Sequence, residues 1–158
     1  MSLKPLRLIV VGRPRAAFWR DAAAHYLERL ARWRAVTETV VRDADPALPP
    51  ARKTLEEGKN ILRVLVPGDI VICLDERGVT RTSRDFARWL DELSADATRR
   101  PCFLVGGPFG LDDAGRARAR HRVAFGAQTL PQELARVLLL EQLYRAESLL
   151  RNTPYHHE

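Results

Sequence analysis

Five consecutive apolar residues, Ile70-Val71-Ile72-Cys73-Leu74, stand between Asp69 and Asp75. An unbroken run rich in β-branched residues suits a strand covered on both faces, because a strand with one wet face would alternate apolar and polar side chains. Such a strand needs helices above and below it, and the rest of the chain alternates the two kinds of pattern. Leu6 to Val11 is a second buried run, ending at Gly12, and Val36 to Val41 is a strand with one wetter face. Phe18, Ala22, Tyr26 and Leu30 recur at helical spacing and, widened by Trp19, Ala23 and Leu27, predict a helix from about Arg15 to Arg34. Asp43 to Pro50, with three prolines, is a loop, and Leu55 to Leu65 is a helix closed by Pro67-Gly68. After the central strand, Glu76-Arg77-Gly78 reads as a turn. Thr82, with Asp85 three places on, then caps a helix that carries Phe86, Trp89, Leu90 and Leu93 inward. Asp96 to Pro101 leads back to the sheet at Cys102 to Val105. The expectation is an α/β fold, a mainly parallel sheet with helices on both faces, built as one domain over residues 1–158.

Lysine and arginine outnumber aspartate and glutamate by 26 to 20, a formal charge of +6 carried almost wholly by arginine. Arginine makes forked contacts to phosphate and stacks on bases, so the excess suits a polyanion as well as it suits a plain solvated surface. No apolar run approaches a membrane span, and Met1 to Leu8 carries lysine, proline and arginine rather than a signal-peptide core, so a cytoplasmic protein is expected. Cys73 and Cys102 each lie inside an apolar strand-like run with no histidine nearby, which makes them small core residues rather than metal ligands.

The last third concentrates the chemistry. Phe103-Leu104-Val105 runs into Gly106-Gly107-Pro108-Phe109-Gly110, where glycine lets backbone approach a ligand closely. The loop lacks the lysine and hydroxyl of a P-loop and the spacing of the dinucleotide fingerprint, so neither a nucleoside triphosphate nor NAD is indicated. Asp112 to Arg122 reads as a basic helix on which Arg116 and Arg120 share a face, either a phosphate-facing ridge or a solvated one. A second run, Arg122 to Phe125, enters Gly126-Ala127-Gln128-Thr129-Leu130-Pro131, and from there one long helix extends through Leu150. Two glycine-bearing loops at strand ends, the second feeding a helix, are the layout of a ligand crevice in an α/β sheet. The long helix is apolar around its whole circumference, which predicts a homodimer packed on it, and Glu141 and Arg145 sit four apart as an intrahelical ion pair. The tail Asn152 to Glu158 holds Tyr155 beside His156 and His157, two side chains fit to bind a phosphate, to position a base or to take a proton.

Leu104-Val105-Gly106-Gly107-Pro108, Gln128-Thr129-Leu130-Pro131, Arg136 to Ala146 with its Glu141-Gln142-Leu143-Tyr144-Arg145-Ala146 run, and the Pro154-Tyr155-His156 tail together resemble the ribosomal RNA large subunit methyltransferase H family. The resemblance covers essentially the full length and implies the SPOUT class, with a C-terminal trefoil knot that no patterning argument predicts. It implies transfer of a methyl group from S-adenosyl-L-methionine to N3 of a pseudouridine in large-subunit (23S) rRNA, in the stem-loop at the ribosomal subunit interface. It also implies a homodimer acting on the assembled ribosome, with no metal. Carried over by motif, Leu74, Gly106, Gly107, Phe125, Gly126, Ala127, Gln128, Thr129 and Leu130 form the cofactor pocket. Tyr144, His156 and His157 are the catalytic candidates, and Tyr155, with Arg116 and Arg120, the RNA side. Relatives commonly carry an acid after Gly-Gly-Pro, a histidine after Leu-Pro and a basic residue after Pro-Tyr-His; this chain has Phe109, Gln132 and His157 there. Those departures keep two alternatives open, a SPOUT enzyme with another RNA target and a non-catalytic ribosome-binding factor.

Overall fold

The computed structural model describes residues 3–106 and 112–157. Five strands, β1 (Leu6–Val11), β2 (Val36–Val41), β3 (Asp69–Thr80), β4 (Arg100–Val105) and β5 (His121–Ala124), form one sheet in the order β2-β1-β4-β3-β5. Every pairing in it is parallel. The connecting helices are α1 (Ala17–Ala31), α2 (Pro50–Val64), α3 (Ser83–Ser94), α4 (Asp113–Arg118) and α5 (Gln132–Leu150).

Alternation along the strands divides the interior into two cores. Leu6, Leu8 and Val10 of β1 join Phe103 of β4 and Ile72 of β3 beneath Ala23 and Leu30 of α1, Phe86 and Leu90 of α3, and Leu139, Leu140 and Leu143 of α5. Ile9 and Val11, Val71 and Cys73, and Cys102 and Leu104 point the other way, onto Ile61 of α2. All six residues of β1 are buried, as a strand covered on both faces requires. Cys73 and Cys102 are free thiols inside the second core, where burial pushes both up to about 12.

At the N-terminal ends of the strands, charge locks the sheet. Asp69 accepts from the buried Arg7 at 2.5 Å and from Arg100 at 3.2 Å. The opposite edge, where the strands end and their loops leave, is thereby free to vary with function.

Three elements differ from the sequence reading. Helix α2 begins at Pro50 rather than Leu55, because a proline in the first turn loses no intrahelical hydrogen bond. Strand β3 does not turn at Glu76-Arg77-Gly78; Val123 of β5 stands opposite both Leu74 and Val79, so the intervening residues bulge out and the strand resumes through Thr80. Helix α4 stops at Arg118, and Ala119 is extended at φ −71° and ψ 121°. Arg116 and Arg120 therefore do not share a helix face: Arg116 is on α4, while Arg120 leads into β5 with its N–H donated to the Val71 carbonyl at 2.9 Å. No helix among the described residues is long and apolar enough to cross a membrane.

Candidate functional site

The C-terminal ends of β3 and β5 and the loop into α5 border an open cleft. Leu74, Val123, Ala124, Phe125, Leu130 and Ala135 supply its apolar walls, and Asp75, Glu76, Gly126 and Gln128 its polar ones. The bulge after Leu74 makes this shape, since a straight β3 would carry Asp75 and Glu76 along β5 instead of out to the cleft. Gly126 has φ 137°, a conformation side chains rarely adopt, although a β-carbon there would meet nothing within 4 Å. Backbone geometry, with open space before it, is what this position demands of glycine. Thr129 Oγ1 donates to Glu76 Oε1 at 3.5 Å and ties the loop to the bulge.

The cleft carries negative charge. Asp75 Oδ1 accepts from the Arg77 N–H at 3.0 Å, while its buried Oδ2 has no hydrogen-bond partner among the described residues and faces Arg116 Nε at 3.7 Å. Exposed Glu76 adds a second carboxylate, so this end of the cleft suits donors and cations.

Of the sequence-derived pocket residues, Leu74, Phe125, Gly126, Gln128 and Leu130 line the cleft together. Ala127 and Thr129 are exposed in the same loop, and Gly106 follows the last residue of β4; Gly107 lies outside the described residues, as does Phe109. Gln132 has a definite task, its Nε2 donating to the Val11 carbonyl at the end of β1. One turn on, Arg136 grips Glu38 with Nε at 3.0 Å and a terminal nitrogen at 2.6 Å, so the start of α5, and with it the cleft loop, is pinned to β1 and β2.

The other candidates gather at the far end of α5. Asn152 takes the left-handed conformation at φ 55°, and the Thr153 N–H returns to the Ser148 carbonyl at 3.0 Å, which ends the helix and turns the tail back along it. Tyr155 packs edge-on against Tyr144 at 4.6 Å, and Tyr144 in turn stacks on Trp33 of the segment after α1 at 5.2 Å and 7°. The Tyr155 hydroxyl donates to Glu141 Oε1 at 3.2 Å, and burial, with Glu141 beside it, pushes Tyr155 up to about 12. Arg145 donates to Glu141 Oε1 from Nε at 3.0 Å, lies over the Tyr155 ring at 4.8 Å and approaches His156 Nδ1 at 3.2 Å. His157 is exposed. Helix α5 has 19 residues, a length of roughly 28 Å. The tail constellation sits on Glu141, Tyr144 and Arg145 in the middle and C-terminal half of the helix, while the cleft takes Ala135 from its first turn and Leu130 before it.

Sequence reasoning passed over Asp75 and Glu76, which looked like a strand end and a turn, and Arg145, whose partner four residues back accounted for it on paper. Among the described residues, no group of three or more histidines, cysteines, aspartates or glutamates is placed to hold a metal.

A family model described as "Predicted SPOUT methyltransferase" matches residues 5–156. The ribosomal RNA large subunit methyltransferase H of Nitratidesulfovibrio vulgaris (strain DSM 19637 / Miyazaki F) is 57% identical over 155 residues, 98% of this chain and 100% of that protein. The protein of the same name from Lawsonia intracellularis is 52% identical over 157 residues, 99% of this chain and 100% of that one. Among solved structures, a probable methyltransferase from Bordetella pertussis Tohama I superimposes with a TM-score of 0.56 at 15% identity, covering 91% of this chain and 95% of that one, a likeness of fold. The chain belongs to the SPOUT methyltransferases and, within them, to the ribosomal RNA large subunit methyltransferase H family.

Proposed function

We propose that this protein transfers a methyl group from S-adenosyl-L-methionine to N3 of a pseudouridine in large-subunit (23S) rRNA, within the stem-loop at the ribosomal subunit interface. The observation that carries the reading is the cleft itself, which unites Leu74 with Phe125, Gly126, Gln128 and Leu130, strand-end and loop residues far apart in sequence. Its features fit the cofactor. Leu74, Phe125 and Leu130 offer an apolar slot for an adenine, Gly126 leaves backbone open to it, and the carboxylates of Asp75 and Glu76 suit the hydroxyls and positive charge of the rest. Gly106 and Gly107 after β4, with Ala127 and Thr129 in the loop, complete the proposed pocket.

When bound, the cofactor supplies a methyl carbon already activated by its sulfonium, so the protein has only to hold it, bring N3 in line and help remove the imide proton. Holding and water exclusion fall to the cleft walls, and orientation to the loop that Gln132 and Arg136 fix to the sheet. Tyr144, His156 and His157 are the proposed substrate-side groups, with Tyr155 stacking and with Arg120 and Arg116 beside the sheet edge meeting phosphate.

A homodimer through α5 belongs to the same proposal. No described tail residue lines the cleft of its own chain, since the tail packs on Glu141 and Arg145 of its own helix; a second copy running the other way would bring its tail there. Partly buried Leu134, Val137 and Leu138 of α5 and Phe18 of α1, 65% exposed, give such an interface apolar surface. A single methyltransferase domain over residues 1–158 with a C-terminal trefoil knot, acting in the cytoplasm on the assembled ribosome, completes the proposal.

The test is transfer of labelled methyl from S-adenosyl-L-methionine to ribosomes lacking the modification, with the product mapped by mass. Label at N3 of the subunit-interface pseudouridine is expected. Label elsewhere would point to another RNA target, and cofactor binding with no transfer to a non-catalytic ribosome-binding factor.

A further inference from the structure

Arg81, between β3 and α3, is partly buried and short of an acceptor. Its guanidinium lies over the Trp89 ring, 4.1 Å from the ring centroid, and Trp89 is braced edge-on by His121 at 5.5 Å and 84°. A ring face steadies the cation, but it takes none of the hydrogen bonds that the edge of a guanidinium can donate. The buried Nη1 has no hydrogen-bond partner among the described residues. Asp85, on which the charge of Arg81 acts, is spent elsewhere: its Oδ2 accepts from the Thr82 hydroxyl at 2.9 Å and its Oδ1 from Arg88. Arg81 lines a small cavity with Val79, Phe86 and Gln142. Gln142 is also occupied, its Oε1 accepting from the Ser83 hydroxyl at 2.9 Å and its Nε2 donating to Glu141 at 2.7 Å. A buried donor without an acceptor is costly, so this place suits a ligand that brings one.

The rest of the cavity wall, Val123 to Phe125, is also a wall of the cleft, so the two spaces adjoin across the end of β5. Their charges are opposite. Asp75 and Glu76 line the cleft, whereas β5 is the edge strand of the sheet, carries exposed Arg122 and is preceded by exposed Arg120. Burial, then the charges of Arg120 and Arg81, hold the His121 pKa below the ordinary histidine value, which places both arginines within reach of one ring. We propose that Arg81, stacked on Trp89, is the seat of a phosphate subsite and receives a backbone phosphate of the RNA strand whose reactive base meets the cofactor at the adjoining cleft. The identity of the strand rests on the proposed methyl transfer; the need of Arg81 for an oxyanion does not. A guanidinium held by an aromatic face presents its fork in a fixed direction, and two phosphate oxygens match that fork. With Arg120 and Arg122 along the same edge, the charge suits a polyanionic strand better than the single carboxylate of the cofactor.

Binding of the purified protein to ribosomes lacking the modification, measured over a series of salt concentrations, tests it. Arg81→Met keeps an apolar contact for Trp89 and removes the fork; it should bind about tenfold more weakly and lower the salt slope of the affinity by about 1. Arg81→Lys keeps the charge and should retain the slope with part of the affinity. Both variants should bind S-adenosyl-L-methionine as the wild type does. Unchanged ribosome affinity in Arg81→Met, or a loss with the wild-type slope, overturns the proposal. An equal loss of cofactor affinity also overturns it, because Arg81 would then serve the cofactor carboxylate. A measurement on the wild type guards against variants that fail to fold: proton–nitrogen spectra of the ¹⁵N-labelled protein, titrated with inorganic phosphate at constant ionic strength. A saturable shift of the Trp89 indole N–H is expected, the signal being assigned by its absence in Trp89→Phe, and an indole signal indifferent to phosphate overturns the subsite. A wild type that binds ribosomes without methylating them would refute the proposed function and leave the phosphate subsite standing.

Discussion

Gly78 lies directly on the backbone of Arg122: a β-carbon there would stand 2.7 Å from the Arg122 carbonyl carbon and 2.8 Å from the Val123 nitrogen. No real side chain tolerates such contacts with backbone, so this glycine is what allows β3 to resume beside β5 after its bulge. The bulge carries Asp75 and Glu76 into the cleft, which makes Gly78 a determinant of the site without touching it. Gly78→Ala should destabilise the fold by roughly 1–3 kcal/mol, read from denaturant unfolding. Wild-type stability in the variant would mean that β3 and β5 are not in register as described.

Glu147 on α5 is completely buried and shared between two arginines, Arg34 at 3.4 Å and Arg151. Arg34 is itself only 4% exposed, and desolvation lowers its pKa despite the compensating charge of Glu147. Removing the carboxylate strands a buried guanidinium. Glu147→Ala should cost about 3–5 kcal/mol, measured as a fall in the urea midpoint, whereas an exposed acid such as Glu92 should cost almost nothing.

Glu57 of α2 makes the opposite prediction. Its side chain is buried, Oε1 accepts the Ala44 N–H at 3.2 Å, Oε2 has no hydrogen-bond partner among the described residues, and burial raises its pKa. A folded pKa above the unfolded one means that the contribution of Glu57 to stability is full below the ordinary glutamate value, about 4.3, and is lost as pH rises through the folded value. Glu57→Gln keeps the Oε1 acceptor and removes the charge. The variant should gain stability over the wild type at pH 7 and show no gain at pH 4, as followed by thermal unfolding at the two values.

The thiols offer a simple reading of core integrity. Cys73 and Cys102 are at most 1% exposed and both are pushed up to about 12 by burial. At pH 8 neither is expected to react with an aromatic disulfide reagent until denaturant is added, when two thiols should appear together. Rapid labelling of the native protein would place one of them outside the core assigned to it.

Much of this architecture is legible in the order of residues. The Ile70–Leu74 run and Leu6–Val11 demand cover on both faces, and the sheet is sandwiched in that way because successive side chains of each strand point to opposite cores. Thr82 and Asp85 announce a helix start, and the Thr82 side chain accepts the Asp85 N–H. What escaped depends on contacts between distant residues. Gly78 looks like a turn glycine, and only the approach of β5 reveals that it is a strand glycine. The break after Arg118 is also non-local, since the Arg120 N–H is claimed by Val71 of β3. Glu147 and Arg145 carry charges at helical spacing, which normally means a solvated face; one is buried by Arg34 from α1's end, and the other is turned toward a tail that comes back along the helix. The five cleft-lining pocket residues named from sequence were read through family motifs, because no local pattern says that Leu74 and Leu130 will share a cavity.

The central claim is that this cavity holds S-adenosyl-L-methionine, and calorimetric titration of the purified protein tests it most directly. Saturable binding in the micromolar range, about −8 kcal/mol, is expected. Gly126→Ala should weaken it by at least about tenfold, because a side chain strains the φ 137° backbone that shapes the cleft. A folded wild type that takes up no cofactor at high concentration, or a Gly126→Ala variant that binds as tightly as the wild type, would contradict the assignment of this cleft.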